Sequence, residues 1–232
     1  MSSFPYSHTL PFFLYILFLG IAQGLGSIQE AGYAWAAAWD LRWLYPIKVA
    51  VVGAVLWHYR RSYAELQSFA GMAWRHWLLA VVAGAVVFVL WINLDLGWAT
   101  LGESSKGYNP NTVPSTANSA LDWRLTIARL LGATLVVPLM EELFWRSFLM
   151  RWLDRQDFIT LEPAKVSLRA LLIASVIFGF EHQLWFAGII AGLVYGGLYV
   201  RTGKLWVPVV AHSVTNGLLG LWVLYTGNWQ FW

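Results

Sequence analysis

The sequence contains no cysteine, which excludes a disulfide framework, a thiolate metal site and a catalytic thiol. Charge is scarce as well: charged residues make up 12% of the 232 residues, whereas a soluble domain carries roughly 25%. Hydrophobic residues make up 59%. A surface with so few charges is suited to lipid rather than water, and a net charge of +3 is too small to indicate nucleic acid as a partner.

A basic n-region is also missing at the N-terminus. Residues 2–10 contain no lysine or arginine, and no clear small-residue cleavage site follows the first apolar run. We therefore expect this run to be a retained helix rather than a cleaved signal peptide.

Apolar segments recur along the chain at the length of membrane helices. A helix needs about 20 apolar residues to cross the hydrocarbon core. The predicted segments are 11–28, 44–59, 76–94, 125–153, two helices within 166–199, and 205–225. The sequence thus predicts an all-α, polytopic transmembrane bundle of seven helices, or eight if 32–38 forms a further element.

Composition divides the chain into three parts of one membrane domain, 1–232. Residues 1–96 hold the first helices, 97–121 form a loop rich in Gly, Ser, Asn, Thr and Pro, and 122–232 form a helical core. Lysine and arginine concentrate after the second, fourth and sixth helices. Basic loops stay in the cytoplasm, which predicts a cytoplasmic N-terminus and an external 97–121 loop.

Ionisable and amide side chains occur inside three of the core's apolar segments. Such groups are costly at membrane depth and usually mark function. The groups are Glu141, Glu142 and Arg146 in the first, His182, four residues after Phe178, in the second, and His212 and Asn216 in the third. Their convergence in one bundle predicts a polar site among the C-terminal helices.

Helical spacing separates the two adjacent glutamates. Glu142 and Arg146 are four residues apart, with the acid first, which favours an ion pair. Glu141 lies about 140° around the helix from Arg146, so we expect its carboxylate to be available for chemistry. The alternative is a purely structural ion pair with Glu141 as a second interfacial acid.

His212 and Asn216 are four residues apart and share one helix face. Two N–H donors aimed at one point suit an oxyanion hole, in which donors stabilise charge that develops in the transition state. The alternative is hydrogen bonding between membrane helices, in which His and Asn commonly take part.

Membrane depth sets a condition on this site. If the fourth helix ended near residue 145, Glu141 and His182 would lie at opposite faces of the bilayer. They meet only if that helix continues to about residue 153, and Pro138 is a candidate for a kink just before the glutamates. We therefore expect long helices of uneven length.

The motifs Glu-Glu-x-x-x-Arg, Phe-x-x-x-His and His-x-x-x-Asn resemble those of the CAAX protease and bacteriocin-processing family of membrane endopeptidases (CPBP or Abi). The surrounding text is also similar to the bacterial branch found near exosortase sorting genes. The resemblance implies a glutamate-type endopeptidase that needs no metal or cofactor. In it, Glu141 and His182 would activate water, while His212 and Asn216 would hold the oxyanion. Glu142, Arg146 and Phe178 would support them.

The same resemblance implies a setting. The protein would be a multi-pass protein of a bacterial inner membrane, with 122–232 as its catalytic core. Its partners would be the lipid bilayer, a peptide or protein substrate at the membrane, and a protein-sorting system.

Three other readings of the same residues stay open. Glu141, His182 and His212 could form a His₂Glu zinc site of a protease. The chain could be a non-enzymatic scaffold, such as a sorting or immunity partner. It could also be a transporter in which Glu141 and His182 relay protons, although no internal repeat is visible.

Overall fold

The computed structural model describes residues 5–102, 107–111 and 120–232. Within these ranges the chain is helical, apart from turns, loops and one isolated β-bridge between Asn111 and Leu121. The helices of the described ranges are α1 (Tyr6–Glu30), α2 (Ala34–Ala37), α3 (Leu44–His58), α4 (Trp74–Asn93), α5 (123–152), α6 (Leu168–Phe180), α7 (Trp185–Thr202) and α8 (Trp206–Thr226). The seven predicted helices are confirmed, and α2 lies within the additional element considered at 32–38. Of the predicted external loop, residues 103–106 and 112–119 lie outside the described ranges.

Three of the described helices are both long and apolar enough to cross a membrane, namely α1, α4 and α8. Helix α6 is apolar but has 13 residues. Seven spanning helices were expected, and three of the described helices meet both criteria. The others are shorter, or carry the polar residues and glycines that build the interior of the bundle.

The outer faces of the bundle are apolar. Large hydrophobic side chains are exposed along α4 (Leu78, Val81, Val82, Val86, Val89) and along α6 (Leu168, Leu172, Ile173, Val176, Ile177). Contiguous apolar surface of this extent is incompatible with water and marks a lipid-facing surface. The chain is an integral membrane protein built as a helical bundle.

Helix α5 is the central helix, and its 137–148 stretch is almost entirely buried. Two π-helical segments, Gly132–Val136 and Leu143–Leu149, flank the α-helical turn that carries the two glutamates. Pro138 follows the first of these wide turns, where its missing N–H and its ring are easier to accommodate. The predicted extension of this helix to about residue 153 is confirmed.

Small residues let neighbouring helices approach closely. A Cβ placed on Gly84 of α4 would lie 2.3 Å from the carbonyl oxygen of Ala211 on α8. A Cβ on Gly188 of α7 would lie 2.9 Å from the Cα of Gly179 on α6. Close backbone contact of this kind holds membrane helices together without a hydrophobic driving force.

Asp154 fixes the connection between α5 and α6. Its carboxylate accepts hydrogen bonds from the backbone N–H of Ser167 at 2.6 Å and from the Ser167 hydroxyl at 2.7 Å. The Ser167 hydroxyl oxygen in turn accepts from the N–H of Ala170 and caps α6. This contact sets the offset between the two helices that the site requires.

A buried polar cluster joins the 64–71 turn to the bundle. The carboxylate of Glu65 binds His8 of α1 at 3.1 Å, the hydroxyl of Ser147, and Arg151 at 3.4 Å. Burial alone would raise the pKa of Glu65. The hydrogen bonds and charge of these neighbours outweigh burial and lower the pKa to about 2. Arg151 lies in the last turn of α5, and this cluster buries its side chain.

Candidate active site

A cavity of about 230 Å³ lies in the bundle between α5 and its neighbouring helices. Its lining includes Glu141, Phe178, His182, His212 and Asn216. Glu142 and Arg146 do not line it and lie buried behind its wall. The structure thus brings together, at one cavity, side chains from three helices that the sequence places in separate segments.

Glu142 is fully buried and contacts two helices. Its Oε2 lies 3.1 Å from Nε of Arg146 on the same helix, as the spacing predicts. Its Oε1 accepts a hydrogen bond from Nδ1 of His212 on α8 at 2.9 Å. Glu142 therefore orients His212 in addition to neutralising Arg146, and the spacing argument did not predict this second contact.

Glu141 faces the cavity and lies on the other side of the helix from Arg146. Its Oε2 is buried and has no hydrogen-bond partner among the described residues. The nearest cationic or imidazole nitrogen is Nε2 of His212, at 4.0 Å. A buried carboxylate oxygen without a partner is costly, so this geometry suits a group that binds water or substrate.

His182 lies two residues beyond the end of α6 and is held by the last turn of that helix. Its Nδ1 donates to the carbonyl oxygen of Phe178 at 2.8 Å, because a carbonyl can only accept. In the neutral ring the proton is thus on Nδ1, and Nε2 carries the lone pair. The rings of Phe178 and Trp91 pack on the imidazole at centroid distances of 4.7 and 5.3 Å and fix its orientation.

Asn216 links α8 to the first wide turn of α5. Its Nδ2 donates to the carbonyl oxygen of Ala133 at 2.9 Å. A primary amide has two N–H donors, so one donor remains for a ligand in the cavity. Asn216 and His212 both line the cavity, and their pairing as donors stays a prediction.

Aromatic rings complete the wall around the charges. The guanidinium of Arg146 lies 4.4 Å from the ring centre of Phe178 and 5.5 Å from that of Tyr195. Tyr195 also stacks on His212 at 4.9 Å. These contacts hold the imidazole and the guanidinium in a dry environment, where electrostatic interactions are strong.

Several cavity residues had no predicted role, among them Glu181, Tyr195 and Thr215. The Tyr195 hydroxyl donates to Thr215 at 2.7 Å, and the Thr215 hydroxyl donates to the carbonyl oxygen of Gly84 at 2.9 Å. This chain of hydrogen bonds joins α7, α8 and α4. Glu181 was detectable, because it is an acid beside His182 within an apolar segment, whereas hydroxyls in membrane helices carry little signal of their own.

The described cavity side chains do not form a metal site. Glu141, His182 and His212 line the same cavity. Across the part of the chain that the structure describes, however, no group of three or more His, Asp or Glu side chains is arranged to hold a metal ion. The His₂Glu arrangement is therefore not formed by the residues as they stand.

Part of the chain is similar to known proteins. Residues 123–218 match the family described as "Type II CAAX prenyl endopeptidase Rce1-like". The chain is also 31% identical over 90 residues to "Putative membrane peptidase YdiL" of Bacillus subtilis (strain 168), covering 36% of this chain and 32% of that protein. The chain thus spans about a third of the length of that relative. No solved structure matches. Residues 123–218, which match this family, carry Glu141, Glu181, His182 and His212 of the cavity lining.

Proposed function

We propose that the protein is an intramembrane endopeptidase of the glutamate type. The observation that carries this proposal is the placement of a buried carboxylate, Glu141, in one cavity with His182, His212 and Asn216. The family of residues 123–218 and the name of the Bacillus subtilis relative support peptide-bond hydrolysis. The cavity supplies a base, a second group to position water, and donors for an oxyanion.

The first step is activation of water by Glu141 and His182. The lone pair on Nε2 of His182 accepts one water hydrogen, and the Glu141 carboxylate takes the proton as the oxygen attacks the carbonyl carbon. The tether of His182 to Phe178 keeps Nε2 in the accepting form. One hydrogen of the water is thereby bound by Nε2 of His182, and the other is taken by the Glu141 carboxylate.

The second step is stabilisation of the tetrahedral oxyanion by His212 and Asn216. Nδ1 of His212 donates to Glu142, so Nε2 becomes a donor only in the imidazolium form. The Glu142 carboxylate supplies the counter-charge for that cation. The second N–H of Asn216 completes the pair of donors.

Collapse of the intermediate requires a proton on the leaving amine. Glu141 returns the proton that it took from water, as a general base that becomes a general acid. Arg146 and Phe178 keep the wall of the cavity closed on this side. Atoms balance, because one water is consumed and one carboxyl and one amine terminus are formed.

The cellular setting follows from the same proposal. We place the N-terminus and the basic loops in the cytoplasm of a bacterial inner membrane, and the 97–121 loop outside. The substrate is a membrane peptide or protein supplied by a protein-sorting system of the exosortase-associated kind. Residues 122–232 act as the catalytic core within a single membrane domain.

A peptide-library digest tests the activity. The purified full chain in detergent is incubated with a library of apolar peptides, and new termini are identified by mass spectrometry. We expect new termini with the unsubstituted protein and a loss of at least about 100-fold with Glu141→Gln, since general-base removal costs about that much. Unchanged cleavage by a folded Glu141→Gln protein would refute the assignment.

Two controls separate this mechanism from its rivals. Activity that persists in a strong chelator supports the metal-free mechanism, whereas activity that is lost in chelator and restored by zinc supports a zinc protease. A folded protein that yields no new termini from any peptide favours a scaffold. Glu162→Gln serves as a matched control for preparation-dependent loss of activity, since the Glu162 side chain is 68% exposed.

A further inference from the structure

Two cations lie close to the cavity on the side away from the Glu142–Arg146 pair. Lys48 of α3 places its Nζ 3.8 Å from the ring centre of Tyr15 and 4.9 Å from that of Tyr45. The guanidinium of Arg129 on α5 lies 4.4 Å from the Tyr45 ring and 5.6 Å from the Tyr108 ring. Aromatic faces, rather than acids, hold both cations.

Neither cation has an acidic partner within ion-pair distance among the residues that the structure describes. Lys48 is 4% exposed, and Nε of Arg129 is buried without a hydrogen-bond partner. Buried charge in a membrane protein is costly and usually has a counter-charge. Two such cations in one place indicate that an anion completes the site.

The cations adjoin the catalytic cavity directly. Both line a second cavity of about 220 Å³. Arg129 and Tyr45 line this cavity and the catalytic one alike. A ligand that reaches Arg129 can therefore extend to Glu141 without leaving the interior of the bundle.

We propose that Lys48 and Arg129 bind a carboxylate of the peptide substrate, an inference that rests on the proposed peptidase function. Nε of Arg129 is buried without a hydrogen-bond partner, and the N–H edge of a guanidinium matches a carboxylate with two parallel hydrogen bonds. Lys48 adds a point charge on the opposite helix. The carboxylate belongs either to an acidic side chain or to the C-terminus of the peptide.

Helix geometry limits the register of this contact. Glu141 lies twelve residues beyond Arg129 on α5, which corresponds to a rise of about 18 Å. An extended peptide covers about 3.3 Å per residue. The carboxylate therefore lies no more than about five residues from the scissile bond. The two cavities together hold a short peptide segment and are small for a whole phospholipid.

Binding of matched peptides tests the proposal. The probe is an acetylated hexapeptide of leucine and alanine, prepared with a free C-terminal carboxylate, as the carboxamide, and as carboxamides with one glutamate at successive positions. Affinities are measured by calorimetry on the full chain carrying Glu141→Gln, so that peptides stay intact. We expect one of the carboxylate peptides to bind at least about 10-fold more tightly than the carboxamide, and its identity distinguishes C-terminus from side chain.

Variants assign the preference to the two cations. Lys48→Gln and Arg129→Gln should each reduce the preference for carboxylate to about 2-fold or less, and Arg129→Lys should retain part of it. Arg124→Gln is the matched control on the same helix, since the Arg124 side chain is 80% exposed. Thermal unfolding of each variant shows that it is folded.

Three outcomes would overturn the proposal. They are equal binding of carboxylate and carboxamide peptides, a preference that survives both Gln variants, and loss of the preference on addition of phosphatidylglycerol, which would assign the cations to a lipid phosphate. Failure of every peptide to bind would count against it as well. If the carboxylate preference holds but the unsubstituted protein cleaves nothing, the peptidase proposal fails and the anion site stands.

Discussion

Replacing Glu142 should unfold the site, whereas replacing its neighbour Glu141 should leave the fold intact. Glu142→Gln removes the negative charge that contacts Arg146 at 3.1 Å and His212 at 2.9 Å. Both terminal nitrogens of Arg146 are buried without hydrogen-bond partners in the described structure, so this contact is the main compensation for its charge. Breaking one side of a buried ion pair typically costs about 3–5 kcal/mol.

The expected shift in melting temperature follows from that energy. At about 2–4 °C per kcal/mol for a chain of this size, Glu142→Gln should lower Tm by roughly 6–20 °C. Glu141→Gln removes a carboxylate without an ion-pair partner closer than 4.0 Å, so its Tm should change by less than about 3 °C. Both proteins are compared in the same detergent by intrinsic fluorescence during heating.

A double variant separates lost attraction from general damage. Replacing Arg146 by Met together with Glu142→Gln removes the uncompensated cation, and we expect at least half of the lost stability to return. Equal destabilisation by the two single Gln variants would refute the division of roles between adjacent glutamates. So would a double variant that is less stable than Glu142→Gln.

Three further predictions concern the frame of the site. Glu65→Gln should lower the free energy of unfolding by about 3 kcal/mol at pH 7, because the pKa of Glu65 is about 2 in the folded protein against an ordinary value of 4.5. The full difference from the unsubstituted protein should be present above pH 5 and should vanish as the pH falls towards 2. Melting curves recorded at a series of acidic pH values measure this difference. Gly84→Ala should cost about 1–3 kcal/mol, since its Cβ would meet the α8 backbone, whereas Gly197→Ala, with open space, should be neutral or slightly stabilising; heating the two in parallel tests the contrast. Asn216→Ala should reduce peptide cleavage by about 100-fold with a smaller change in KM, and a change confined to KM would assign Asn216 to binding alone.

The sequence predicts the helices well, because each lies between clear breaks. Long apolar runs, a Gly- and Pro-rich loop, and charged turns mark their ends within a few residues. The extension of α5 to residue 152 was also predictable, because Glu141 and His182 could meet in no other way. The lengths of the apolar runs did not predict that, among the described helices, only α1, α4 and α8 would be both long and apolar enough to cross a membrane.

The sequence predicts which residues belong to the site better than it predicts which of them contact each other. Spacing within one helix identifies the Glu142–Arg146 pair, because both residues turn with the same helix. The contact of Glu142 with His212 depends on how α5 and α8 rotate against each other, and no spacing rule contains that angle. The same holds for Asn216, whose partner is a backbone carbonyl of Ala133 rather than a side chain.

The two wide turns of α5 have a consequence for insertions and deletions. A π-helical turn holds one residue more than an α-helical turn, so Gly132–Val136 contains a residue that a regular helix would not need. Deleting one residue there would let the backbone close into a regular α-helix, because the wide turn has already absorbed the rotation of that residue. Glu141 would then keep its direction towards the cavity. A deletion in a regular turn of α5 between the wide turn and Glu141 would instead rotate Glu141 by about 100° and take it out of the cavity.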